Sequence, residues 1–409
     1  MNFLSNLHSV ARGARPGYVR QMLHESANLV SLCSKEREPI DISGNRWAIY
    51  SVTRIGQTAW MSPPVTAHTV VSAEPPHIPV AEVELAVTQQ FGVHGSYMPL
   101  VSERDQNFRL RTSSGAEYVV KVASSAEPGR VTDFQLAALR HLETAGTVPV
   151  PKVMATLDGR HAGSIENAGQ VYRLRLVSYL AGETLASVPL DTDMSRDLGA
   201  SLARLDLGLD GFSHEGERPV LLWDLQRAGE LRDLLDGIDS PAIRGEVLRV
   251  IDDFDQRVRP ELNTLRKQVI HGDANPENVL VNPVSRRVSG FIDFGDMIRA
   301  PLVFDVAIAA AYLRASKADA LGLIAPFVAG YHALRPLFHA ELALLFDLVR
   351  ARLATTITLL YWRLDARDDD DLYRQKTLAR ESDAVDFLAA LDDLGRAAFL
   401  HRLQRATGA

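Results

Sequence analysis

The 409-residue chain contains a single cysteine, Cys33, so no disulfide can close within it. That scarcity suits a reducing compartment. It also lacks any apolar run approaching the roughly 20 residues a membrane helix needs. The best candidate, "LATTITLLYW" at 353–362, is short and flanked by Arg350, Arg352 and Arg363. The start, "MNFLS", has no sustained apolar stretch before Arg12 and Arg15, so no secretory signal is read there. Basic residues are not in excess: 44 Lys and Arg stand against 51 Asp and Glu, a net charge of −7. General nucleic-acid binding depends on cations that neutralise phosphates and is argued against. A cytoplasmic location, with no membrane and no nucleic-acid partner, is the expectation.

What is present falls into three stretches. Residues 1–78 hold scattered Ser, Arg and Pro and end in the linker-like "SAEPPHIP"; they read as an N-terminal extension of uncertain order. Residues 79–182 then alternate as a small sheet should. "VAEVELAVTQQFG" has helical spacing, and "SYMPLVSERDQNFRLRTSSGAEYVVKVAS" then reads as strand, short loop, strand, turn and strand, with "TSSG" as the hairpin turn. "RVTDFQLAALRHLETAG" is an amphipathic helix stopped by Gly146, "VPVPKVMAT" is held extended by its prolines, and "QVYRLRLVSYLAG" closes the lobe. About five strands with one inserted helix are predicted. From 183 to 409 the pattern is helical, with helices expected at 193–208, 223–236, 241–265, 302–315, 318–333, 339–363 and 381–404. One hairpin interrupts them, "NVLVN" with "VSGFID" across "PVSRR". The acidic run "DARDDDDLY" at 365–373 reads as a solvated connection.

The chemistry concentrates at "HGDANPENVLV", residues 271–281, and in "GFIDFGD" just after it. Gly272 and Pro276 keep Asp273 in a loop, and Asn278 stands where the loop becomes a strand. The return strand of a tight hairpin delivers Asp293 beside Asn278. Phosphoryl transfer asks a protein mainly for positioning and charge compensation. Mg²⁺ takes hard oxygen donors and keeps several waters, so one carboxylate and one amide suffice. Asp273 then lies within roughly hydrogen-bond reach of a substrate hydroxyl. His271 has no second histidine placed to complete a metal set and reads as a prop for the loop.

These motifs, with "YVVKV" in the preceding sheet, resemble the aminoglycoside phosphotransferase and choline kinase superfamily. The resemblance implies an α+β, two-lobed, protein-kinase-like fold: a small antiparallel-sheet N-lobe and a larger, mainly helical C-lobe. It implies Asp273 as catalytic base, Asn278 and Asp293 as Mg²⁺ ligands, and Lys121 on the α and β phosphates of ATP or GTP. "LVSERDQNFRL", "DFQLAALRHL", "LLWDL" and "ARLATTIT" narrow the likeness to the hydroxylysine kinase branch, over about residues 80–400. The implied activity is transfer of the γ-phosphate to a small hydroxylated acceptor, with 5-hydroxylysine or a related amino alcohol foremost. An aminoglycoside, choline or homoserine acceptor, or a silent nucleotide-binding protein, are the alternatives.

Two departures from the protein-kinase pattern stand out. The phosphate loop "SERDQNF" lacks glycine, which usually lets backbone approach phosphate closely. Side chains such as Ser102, Gln106 and Asn107 are expected to take part of that work. The helix position that should offer Lys121 a glutamate holds Gln135, with Asp133 nearby. Val177, Ser178, Tyr179 and Leu180 are expected against the nucleotide's base. For the acceptor, Arg352 sits in an apolar helix where an unpaired charge is costly, so it is either ion-paired inside or facing a cleft. Trp223, Asp224 and Asp296 are further acceptor candidates, with Asp224 read first as a first-turn or cap residue of a helix. Asp305 is expected to brace the catalytic loop.

Overall fold

The computed structural model describes residues 37–42, 45–50, 75–102, 104–314, 319–364 and 372–408. The chain divides after Pro64 into two compact units. In the first, β1 (Arg37–Ile42) pairs antiparallel with β2 (Asn45–Tyr50). The second unit contains both lobes. Ile78 is buried in the small lobe's core, so the folded unit reaches back across the boundary expected at residue 78.

The small lobe opens with α1 (Val80–Phe91), whose Val83, Ala86, Val87 and Phe91 recur at helical spacing and are buried. β3 (Ser96–Leu100), β4 (Gln106–Arg111), β5 (Glu117–Val122), β6 (Gly163–Asn167) and β7 (Gln170–Ser178) form one antiparallel sheet in the order β3-β4-β5-β7-β6. One face carries Phe108, Leu110, Val120, Val122, Leu174 and Leu176 into a core shared with α1. Side chains alternate along a strand, so the other face presents Asn107, Lys121 and Arg175, which are cross-strand partners in register. The stretch "VPVPKVMAT" contributes only an isolated bridge, Val153 to Val177. The fifth strand is instead β6, joined to β7 through Ala168 and Gly169, both at positive φ, the turn chemistry that matches strand twist.

Helix α2 (Gly129–Ala145) lies between β5 and β6 in sequence but not in packing. Its Phe134, Ala138, Leu139 and Leu142 belong to the core of the large lobe, with Leu198 and Leu202. That lobe begins with β8 (Glu183–Thr184) and α3 (Thr192–Gly208), the latter capped by the Asp191 side chain, which accepts from the Met194 N–H. The expected helix at 223–236 is a run of 3-10 turns, Leu225–Gly237. The one expected at 241–265 is α4 (Pro241–Asp253), a π turn (Phe254–Val258) and a single 3-10 turn. Pro260 explains the break, because it has no N–H to continue the ladder.

β9 (Lys267–Ile270) pairs with β12 (Ile298–Pro301), and β10 (Val279–Asn282) pairs with both β11 (Arg287–Phe291) and β8. The expected hairpin is present, and it is flanked by a second strand pair the sequence did not reveal. Four helices follow: α5 (Val303–Ala310), α6 (Ile324–Leu334), α7 (His339–Leu364) and α8 (Leu372–Leu394). The expected 381–404 helix is interrupted at Gly395, at φ 78°, and resumes as α9 (Arg396–Thr407). Most of the acidic run at 365–373 lies outside the described residues. Helices α3 and α6 cross closely at Gly199 and Gly330; a Cβ on either would overlap backbone of the other helix. Among the described residues no helix is long and apolar enough to cross a membrane.

Candidate active site

The cleft is floored by the loop between β9 and β10 and roofed by the polar face of the sheet. Asp305 fixes the start of that loop: its buried carboxylate accepts from the His271 N–H at 3.0 Å and the Gly272 N–H at 2.9 Å. Gly272 is at φ 77°, and a Cβ there would overlap the carbonyl oxygen of Asp296. The His271 ring accepts from the Asp273 N–H at Nδ1, so its Nε2–H is left to donate to the Ile292 carbonyl, 3.1 Å away. It packs edge-on to Phe294. One imidazole thus ties the loop to the strand that delivers Asp293.

Asp273 is gripped at both oxygens. Oδ2 accepts from Asn275 Nδ2 at 2.9 Å and Asn278 Nδ2 at 2.8 Å, while Oδ1 accepts from Arg352 Nη2 at 2.8 Å. Burial pushes its carboxyl up to about 7, with Arg352 pulling the other way. Asn278 spends its amide nitrogen on Asp273, which leaves its Oδ1 as the free end. The Ile292 N–H donates to the Asn278 carbonyl at 2.9 Å, bringing the neighbouring Asp293 to the same place. Asp293 sits in the left-handed region at φ 56°, uncommon outside glycine and most accessible to Asp and Asn. Lys121, 3.3 Å from its Oδ1, holds the carboxylate well below its usual range, against burial and with help from Arg104.

Lys121 has a second neighbour, Asp105 at 3.9 Å, and Asp105 in turn pairs with Arg175 at 2.6 Å. Neither helix candidate for Lys121 reaches it. Asp133 pairs with Arg173, and Gln135 accepts from Arg175 while its amide donates to Glu127 and to the Gly295 carbonyl. The carboxylate beside Lys121 therefore comes from the "SERDQNF" loop. Arg104 of that loop reaches across the cleft to Asp296 at 2.6 Å. Gln106 points the other way, donating to and accepting from the Ile78 backbone at 2.9 Å, which corrects its expected place near phosphates. Ser102 Oγ accepts from the Asp105 N–H, and Asn107 has a buried Oδ1 without a partner among the described residues.

At the far end of β7, the amides of Ser178 and Tyr179 donate to the carbonyls of Lys152 and Glu117. The Tyr179 ring lies beneath Arg109, and Val177 is buried. Leu180 has no backbone partner among the described residues. On the acceptor side, Asp224 caps the 3-10 run by accepting from the Gln226 N–H, and burial raises its carboxyl. Arg352 does pair internally, yet its partner is Asp273 itself, with Trp223 4.8 Å under the guanidinium and the Tyr312 hydroxyl at 3.1 Å. Arg104, Asp105, Arg175 and Tyr312 were not among the sequence candidates. Asp105 and Arg104 lie inside a quoted motif, whereas Arg175 joins the face of Lys121 only through the register of the two strands.

A small antiparallel sheet set over a helical lobe, with a lysine, a loop aspartate and an Asn–Asp hairpin meeting between them, defines a two-lobed small-molecule kinase. The chain belongs to the phosphotransferase enzyme family, whose model matches residues 97–342. It is 29% identical to a hydroxylysine kinase of Danio rerio over 78% of this chain and 93% of that protein. It is 30% identical to a homoserine kinase of Neisseria meningitidis over 58% of this chain and 73% of that one. Among solved structures, a complex of amicoumacin kinase with AMP-PNP and Ca²⁺ superposes with a TM-score of 0.60 at 18% identity, covering 77% of this chain and 94% of that one.

Proposed function

We propose that the chain transfers the terminal phosphate of ATP or GTP, held with Mg²⁺, to the hydroxyl of 5-hydroxylysine or a closely related amino alcohol. The observation that carries this reading is the treatment of Asp273. Oδ2 is saturated by two amides, whereas Oδ1 has one donor, Arg352, and a lone pair left for an acceptor O–H. A carboxyl pushed up to about 7 by burial is matched to taking a proton near neutral pH.

The donor set suits a hard cation. Asn278 Oδ1 and the ionised Asp293 carboxylate, both hard oxygen donors, would hold Mg²⁺. When bound, the metal and nucleotide supply the phosphoryl group and compensate its charge. Lys121 and Asn107 face the phosphates from the sheet, with Ser102 beside them, and Leu180 offers its backbone to the base. The hydroxylysine kinase and homoserine kinase likenesses both support an amino-acid alcohol as acceptor. A guanidinium next to the base disfavours the polycationic aminoglycosides and choline. Lys121, Asp273, Asn278 and Asp293 meeting in one cleft disfavours a silent fold. A cytoplasmic location goes with this chemistry, where nucleoside triphosphates are available.

The test is a coupled assay of nucleoside diphosphate release, crossing ATP and GTP with hydroxylysine, homoserine, aminoglycosides and choline. Turnover is expected with hydroxylysine and lost in Asp273→Ala, which still binds nucleotide. Undiminished turnover in that variant would refute the base assignment.

A further inference from the structure

Arg352 is 2% exposed and sits in the middle of α7 among Val349, Ala351, Leu353 and Ala354. Removing a guanidinium from water is costly unless its donors are satisfied. Only part of this one is. Nη2 serves Asp273 Oδ1 and the Tyr312 hydroxyl, and the ring faces of Trp223 and Tyr312 lie 4.8 and 5.7 Å from its central carbon. Nε and Nη1 are buried without a partner among the described residues. Arg350, on the same helix, makes the contrast: it is tied into the fold by Asp253 and Asp392, each at 2.6 Å. Arg350 is a structural ion pair. Arg352 has donors to spare, and they adjoin the oxygen that receives the acceptor's proton.

The small cavity beside Trp223 and Gly272 is bordered by neither Arg352 nor Asp273, so the guanidinium's own unpartnered donors carry the argument. We propose that Arg352 anchors the carboxylate of an amino-acid acceptor. Nη2 stays on Asp273 while Nη1 or Nε takes the carboxylate, so one planar group sets the base and the substrate relative to each other. Arginine suits this because its donors are fixed in one plane and it stays charged when buried. The acceptor's hydroxyl then meets Asp273 only when its carboxylate is seated. Acceptor choice becomes a test for a carboxyl group, on top of the test for a hydroxyl.

This inference rests on the kinase reading above, and its experiment separates the two. Wild-type enzyme is assayed with 5-hydroxylysine and with the same molecule as its C1 primary amide, which keeps shape and hydroxyl but removes the negative charge. Buried donors left without their partner discriminate strongly, so kcat/KM is expected to fall at least about 100-fold for the amide, mostly through KM. Equal kcat/KM for acid and amide overturns the anchor while leaving the kinase intact. No turnover of either refutes hydroxylysine as the acceptor and the anchor with it. In Arg352→Gln the preference for the acid is expected to shrink to within a few-fold. A variant that loses activity toward both acceptors by the same factor, with the preference unchanged, overturns the proposal, because that is what a purely structural arginine would do.

Discussion

Lys121 takes its countercharges from Asp105 and Asp293, not from the helix beside the sheet. Asp105 also neutralises Arg175, which is 4% exposed and faces the cleft next to Lys121. Losing one member of such a buried pair strands the other charge, at a cost of roughly 3–5 kcal/mol when burial is complete. Asp105→Ala is therefore expected to lower the melting temperature and to raise KM for the nucleotide about tenfold, more than it lowers kcat; nucleotide titration alongside thermal melts reads both. The catalytic loop and its hairpin were legible in the sequence because Asp273, Asn278 and Asp293 are brought together by short local connections. Asp105, Lys121 and Arg175 lie on separate strands or loops, and only the observed register shows that they meet. Gln106 was misread for a related reason, since adjacent strand residues face opposite sides and Asn107, not Gln106, faces the cleft.

At the level of elements, three helices are joined by a polar contact in their core. Asp206 on α3 accepts from the Tyr331 hydroxyl on α6 at 2.6 Å and faces the Asp305 carboxyl on α5, with Arg335 nearby. Burial first, and Asp305 second, raise the Asp206 carboxyl well above its ordinary value. The folded chain thus keeps a proton that the unfolded chain releases near a pKa of about 4. Its stabilisation is complete below that pH and is lost as pH rises toward the raised value. Asp206→Asn supplies an N–H that does not titrate, so its melting temperature is expected to gain on the wild type as pH rises above about 4. Asp206→Ala leaves the Tyr331 hydroxyl and Asp305 without this partner and should cost about 1–3 kcal/mol in a denaturant titration. Long periodic helices such as α3 and α7 were readable, because their apolar stripes run for several turns. The 3-10 run after Asp224 and the break at Gly395 were not, because the same apolar spacing serves tight turns and two abutting helices equally well. The β9–β12 pair escaped because each strand is four residues long, too short for alternation to register.

For the whole molecule, both hydrophobic cores of the described residues begin at or after Ile78, and the family match begins at residue 97. A chain starting at Val65 is expected to melt within a few degrees of the full-length protein and to keep its kcat within about twofold; a larger loss of either would show that the first unit supports the enzyme. The two-lobed plan could be read in advance from the switch between periodicities of two and 3.6. The membership of α2 could not, since it follows β5 in the chain yet packs with the helices. That attachment has a mechanical consequence. α2 is anchored below and holds the sheet through Asp133 with Arg173 and Gln135 with Arg175, and across this side of the mouth the sheet is fastened by charges, Arg104 to Asp296 and Lys121 to Asp293. Ion pairs this shielded feel added salt less than exposed ones do, so high ionic strength is expected to loosen the mouth only modestly.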